Sequence, residues 1–180
     1  MENNKELTTE KLFEAAKNGD LFILSDPFVD KIKDSDGVTP LHYLASTGKI
    51  EVLSHPSVDK IVNRSKNTPL HLLARSGRIE VLTHPSVDKS INIYGNTPLH
   101  FLAGAGKIEV LIYSSVDEVK NDFGKTPLNM LFLTRYQVSK KKFKQIFPWC
   151  KLKNNQKITE KFLKDILHMK PSDFILSSIE

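Results

Sequence analysis

The sequence predicts an all-α helical repeat solenoid, and three observations carry that expectation. The phrase Thr-Pro-Leu-His, followed by x-Leu-Ala-x-x-Gly, begins at Thr39, Thr68 and Thr97, a fixed spacing of 29 residues. A constant period of roughly twenty to fifty residues marks a repeat array. Within each copy the apolar residues fall at helical spacing, and the same positions return one period later as columns. A decayed copy, TPLNMLFLTR, starts at Thr126.

The copy from Thr68 to Asn96 shows how one unit is built. Thr68 is a good N-cap, and Pro69 suits the first helical position, where its missing N–H has no partner to lose. Leu70, Leu73 and Ala74 then form one apolar stripe at i, i+3 and i+4. Gly77 stands where a helix can end in a left-handed residue. Ile79, Val81 and Leu82 make a second apolar group, closed by His84-Pro85 because a residue before proline leaves the α region. The second helix is therefore expected to be little more than one turn. Val87 returns to the core, and Ser90 to Asn96 reads as a turn into the next Thr-Pro.

Four columns run through the units. They are Leu12, Leu41, Leu70, Leu99 and Leu128; Ala16, Ala45, Ala74 and Ala103; Leu24, Leu53, Leu82 and Leu111; and Val29, Val58, Val87 and Val116. One short helix pair cannot bury its apolar face alone, so neighbours must stack and share a core. The small alanine column lets helices approach closely.

TPLH-x-LA-x-x-G-[KR]-IEVL resembles the ankyrin repeat over about Glu10 to Leu131. The ankyrin unit usually has 33 residues and this one 29, the shortfall falling after IEVL, where HPSVDK replaces the rest of the second helix. The resemblance implies an ankyrin-like solenoid and binding of a protein partner through turn tips and the exposed ends of the first helices. The short units with HPSVDK are also similar to predicted bacterial and bacteriophage proteins, which implies an adaptor or inhibitor, such as a phage protein blocking a host defence protein.

In chain order, residues 1–9 read as a flexible lead-in. Residues 10–38 align with the unit one period on, but TPLH has become EKLF, as suits a degenerate N-terminal cap whose outer face meets water. Units 39–67, 68–96 and 97–125 follow. The last lacks the His-Pro pair, having Tyr113-Ser114 instead, so its second helix is expected to run slightly longer. Residues 126–131 begin a partial unit in which Asn129 replaces histidine and Phe132 then enters the alanine column, blocking further stacking. Residues 132–180 read as a basic, helical C-terminal cap with apolar faces at Phe143, Ile146 and Phe147 and at Phe162, Leu163, Ile166 and Leu167.

Composition limits the function classes. The single cysteine, Cys150, forms no internal disulfide or cysteine metal cluster, which points to a reducing compartment. The polar start MENNKELTTEKL is no secretory signal and no apolar run reaches membrane length, so a cytoplasmic location is expected, that of the host cell for a viral protein. From Phe132 onward 11 lysines and arginines face 4 acidic residues, so the basic character lies in the C-terminal segment. The run Lys140, Lys141, Lys142 and Lys144 reads as a solvated helix face, with contact to nucleic-acid phosphates or to an acidic protein as alternatives.

No phosphate-binding glycine loop, nucleophile–base motif or metal-ligand cluster is legible, so no enzyme, cofactor or metal is expected. His42, His71 and His100 form a ladder, but stacked units lie about 10 Å apart, too far for shared coordination. A hydrogen-bonded histidine at each helix start is expected, the part that similar ankyrin histidines play. Asp59, Asp88 and Asp117 repeat in equal environments, which suits loop capping or pairing between units better than acid–base chemistry.

Positions that vary within the repeat are those the fold leaves free for binding. By resemblance they are Asp36; Arg64, Ser65 and Asn67; Arg75; Ile93, Tyr94 and Asn96; and Asp122, Phe123 and Lys125. Ser35, Val38 and the helix-end pair Gly104 and Ala105 belong to the same surface. Tyr94 and Phe123 fall in one column, where two aromatics either form an interface or tuck against neighbouring turns or the C-terminal cap.

Overall fold

A computed structural model describes residues 8–133 of the chain. The lysines from Lys140 to Lys144, Cys150 and the rest of the expected C-terminal cap past residue 133 lie outside the described residues. Among the described residues the fold is helical and without strands. Five α-helices follow in order: α1 (Thr9–Asn18), α2 (Pro40–Ser46), α3 (Pro69–Arg75), α4 (Pro98–Gly104) and α5 (Pro127–Leu133). Each packs on the next.

At the starts of α2, α3 and α4 the first free amides find acceptors. An α-helix leaves its first N–H groups without intrahelical acceptors. In α2, Pro40 removes one, Leu41 donates to the carbonyl of Val29 at 2.9 Å, and His42 donates to the Thr39 hydroxyl at 3.4 Å. The Thr39 amide in turn donates to the His42 ring at 3.2 Å, closing a capping box with histidine in the place usually held by Glu or Gln. Leu70 and Leu99 repeat the bond to Val58 and Val87. Asn129 keeps the reciprocal cap with Thr126 in α5.

After α1 to α4 a left-handed glycine stops the helix: Gly19, Gly48, Gly77 and Gly106. A five-residue 3₁₀ segment follows each, at Leu21–Ser25, Ile50–Ser54, Ile79–Thr83 and Ile108–Ile112. Its length is that expected of the second helix, but its winding is tighter. The expectation of a longer second helix before Tyr113-Ser114 is not met. Tyr113 is as extended (φ −85°, ψ 130°) as His84 before Pro85 (φ −81°, ψ 133°), and a separate 3₁₀ turn, Ser114–Asp117, comes after it. The break is therefore set by the packing of the unit, and proline only reinforces it.

The lead-in is also shorter than expected. Thr8 caps α1 by accepting from the Lys11 amide, so the helix opens at Thr9 and runs ten residues against seven in later units. No Thr-Pro fixes its start, and the helix extends to the nearest good cap.

The core is a continuous series of leucine, alanine and valine columns. Leu41, Leu44 and Ala45 and their counterparts in α3 and α4 are fully buried, as are Val29, Val58, Val87 and Val116. One expected column is buried only in its later members, Leu82 and Leu111. Leu24 and Leu53 are only half-buried, whereas Ile23, Val52, Val81 and Val110, one residue earlier, have no exposed surface. The central residue of each 3₁₀ segment faces the core throughout, and the leucine after it joins the core in the third and fourth segments.

Candidate functional site

Between each 3₁₀ segment and the next helix the chain turns through a tight tip, built by one side chain. The Asn63 Oδ1 accepts from the amides of Ser65 and Asn67, each at 3.0 Å. Asn92 does the same for Tyr94 and Asn96, Asn121 for Phe123 and Lys125, and Asp34 for Asp36 and Val38. The tips are then tied to one another. Arg64, Ile93 and Asp122 donate backbone bonds of 2.9–3.0 Å to Asp36, Ser65 and Tyr94 of the preceding tip. Asn92 and Asn121 add side-chain bonds to Asn67 and Asn96.

The histidines lock these tips to the helices. The His71 Nδ1 accepts from the Thr68 amide, so its proton sits on Nε2, which donates to the Asn96 carbonyl at 3.1 Å. His42 and His100 reach Asn67 and Lys125 in the same way at 3.0 Å. Burial pushes the His42 and His71 rings down to about 4, and that of His100 down as well. On the other side of the unit, Ser57, Ser86 and Ser115 donate to Asp30, Asp59 and Asp88 of the preceding unit at 2.6–2.7 Å. The histidines and these aspartates are thus bonded within and between units, as their repetition implied. Asp117 differs, accepting from Thr126 at 3.4 Å.

The side chains read as free for binding divide into two groups. Asn67 and Asn96 are half-buried and committed to the bonds between tips. Asp36, Arg64, Arg75, Ile93, Tyr94, Asp122, Phe123 and Lys125 are exposed, and Ser65 is half-buried. Asp36 and Arg64 pair at 3.4 Å on open surface, a contact of little energetic weight. Tyr94 and Phe123 stack with centroids 6.4 Å apart and planes at 27°, yet they stay 48% and 69% exposed. Ile93 lies beside them at 43%.

Several exposed apolar residues escaped the sequence reading. Val62 and Ile91 extend the tip surface, while Phe22 and Phe28 stand apart in the first unit. The signal was a break in a column: Ile91 falls where units before and after have Val62 and Lys120, and Phe22 where later units have Glu51, Glu80 and Glu109. The repeated Asn63, Asn92 and Asn121 were likewise visible as a column.

The first unit carries a separate polar cluster. The Tyr43 hydroxyl donates to Asp34 at 2.8 Å, and Lys17 lies 4.9 Å above the Tyr43 ring. Partial burial pushes the Asp34 carboxyl up, but the Tyr43 hydroxyl and the Val38 and Asp36 amides outweigh it and leave it below its usual value. Among the described residues no helix is long and apolar enough to cross a membrane. No family model matches the chain, and no curated protein matches it.

Proposed function

We propose that the chain is a non-enzymatic protein–protein interaction module, an ankyrin-like repeat solenoid that holds its partner against the turn tips. The observation that carries this reading is the Tyr94–Phe123 pair, stacked on adjacent tips and still largely exposed beside Ile93. Large aromatic side chains supply most of the energy at many interfaces and are costly to leave in water. Their backbones are held by the Asn92 and Asn121 side chains and by bonds between tips, so little ordering cost arises on association. Such a module acts by occupying or bridging a partner, as an adaptor or an inhibitor in the cytoplasm. The similarity to predicted phage proteins makes a host protein, including a defence factor, the first partner to seek.

Replacing Tyr94 and Phe123 together by alanine tests the reading. Loss of a captured protein partner with a melting temperature within about 4 °C of the parent supports it. A much larger fall in melting temperature assigns the pair to the fold and counts against it.

A further inference from the structure

Where α3 and α4 end, beside Met130 of α5, lies a cavity of about 240 Å³, lined also by Arg75, Asn96, His100, Phe101, Gly104 and Ala105. Gly104 opens it. The equivalent positions in α1, α2 and α3 are Lys17, Ser46 and Arg75. Nothing in the fold demands glycine there. Gly104 is helical, the left-handed stop comes two residues later at Gly106, and a Cβ on Gly104 would meet only the Met130 methyl at an ordinary 3.5 Å. Glycine within a helix is destabilising relative to alanine, so the position costs stability and returns only the open space.

The walls define what fits. Phe101 and Met130 are half-buried apolar groups, and Phe101 is held edge-on by His71 at 5.9 Å. Arg75 is exposed at the rim, and its guanidinium pairs with no described residue. An apolar cavity of about 150 Å³ accommodates benzene, whereas sites for whole metabolites run to roughly 300–1,000 Å³. The space suits one side chain. We propose that it takes an aromatic or leucine-sized side chain of the protein partner, with Arg75 closing on a carboxylate beside that side chain in the partner's sequence. The proposal rests on the interaction reading and names an anchor within it.

The test uses the full chain, labelled at the methionine methyl groups, with Met130 assigned by Met130→Leu. Three blocked peptides serve as probes: acetyl-Ser-Phe-Glu-Ser-amide and its Phe-Gln and Ala-Glu counterparts. The expected result is a saturable shift of the Met130 methyl with the Phe-Glu peptide in the millimolar range. Binding is several-fold weaker with Phe-Gln and undetectable with Ala-Glu. Arg75→Gln lowers the Phe-Glu affinity to that of Phe-Gln, and Gly104→Leu abolishes the shift. Gly104→Ala weakens binding while raising the melting temperature by about 2–4 °C, which keeps the test valid if the leucine variant folds poorly. No saturable shift at tens of millimolar, or equal binding by the Gly104 variants, overturns the proposal, as does a lower melting temperature for Gly104→Ala. Tyr94 and Phe123 lie outside the cavity lining, so failure here leaves the tip reading standing, and loss of partner capture at the tips is scored separately.

Discussion

His42, His71 and His100 each use a neutral ring twice, accepting from a threonine amide at Nδ1 and donating to the next tip at Nε2. Burial disfavours the charged ring, so the folded rings of His42 and His71 stay neutral down to about 4, and protonation would also remove the Nδ1 acceptor. Unfolded histidine titrates near 6.5. The unfolded chain therefore binds more protons between those values. Stability is full above about pH 6.5 and falls as the pH drops toward 4, by a few kcal/mol for each of the two rings. Urea unfolding at pH 7.5 and pH 5 measures it. His71→Gln keeps the usual capping-box chemistry and removes one titrating ring, so its loss between the two pH values is expected to be smaller than that of the parent. Lys66 poses the opposite case. It occupies the left-handed position (φ 54°) that is glycine in the other three tips, Gly37, Gly95 and Gly124. That conformation costs a side chain roughly 1–2 kcal/mol, and glycine loses roughly 0.5–1 in entropy. Lys66→Gly is expected to raise unfolding free energy by about 0.5–1 kcal/mol. The histidine role was legible from the repeating TPLH; the strain at Lys66 was legible as the one non-glycine in its column.

At the scale of elements, the helix starts were the clearest part of the sequence, because Thr-Pro sets cap and first turn within two residues. The second segment was read correctly in length but not in winding. Five residues between a left-handed glycine and an extended break leave no room for an α-turn to propagate, and Val52 is buried more deeply than Leu53. Proline matters less to the break than the sequence suggests. Since Tyr113 breaks the chain without one, Pro85→Ala is expected to keep the Ile79–Thr83 segment and to cost under about 1 kcal/mol, through a looser unfolded chain. The tips went the other way. Their asparagines repeat, yet a residue that acts through hydrogen bonds leaves no apolar periodicity to read. Asn92→Ala strips two amides and Asn67 of a partner, and a loss of about 2–3 kcal/mol is expected in denaturant unfolding.

On the scale of the whole molecule, the columns anticipated that each helix packs on the next, and the structure adds three lines of hydrogen bonds along the same direction: histidine to tip, tip to tip and serine to aspartate. These bonds engage the repeating histidines, tip asparagines, serines and their aspartate partners. What stays exposed at the tips is what varies, above all Ile93, Tyr94 and Phe123. Sequence alone left open whether the aromatics tucked away, because their neighbours lie a full period apart. The pair's own stacking is worth about 0.5–1.5 kcal/mol, too little to explain two such residues by stability alone. Capture of partners on the immobilised full chain, from source-cell lysate treated with nuclease at two salt concentrations, tests the central claim most directly. The account predicts a protein that survives nuclease and moderate salt and is lost with Tyr94→Ala and Phe123→Ala. Recovery of nucleic acid alone, released by higher salt or by neutralising Lys140 to Lys144, would contradict it and move the function to the basic C-terminal segment.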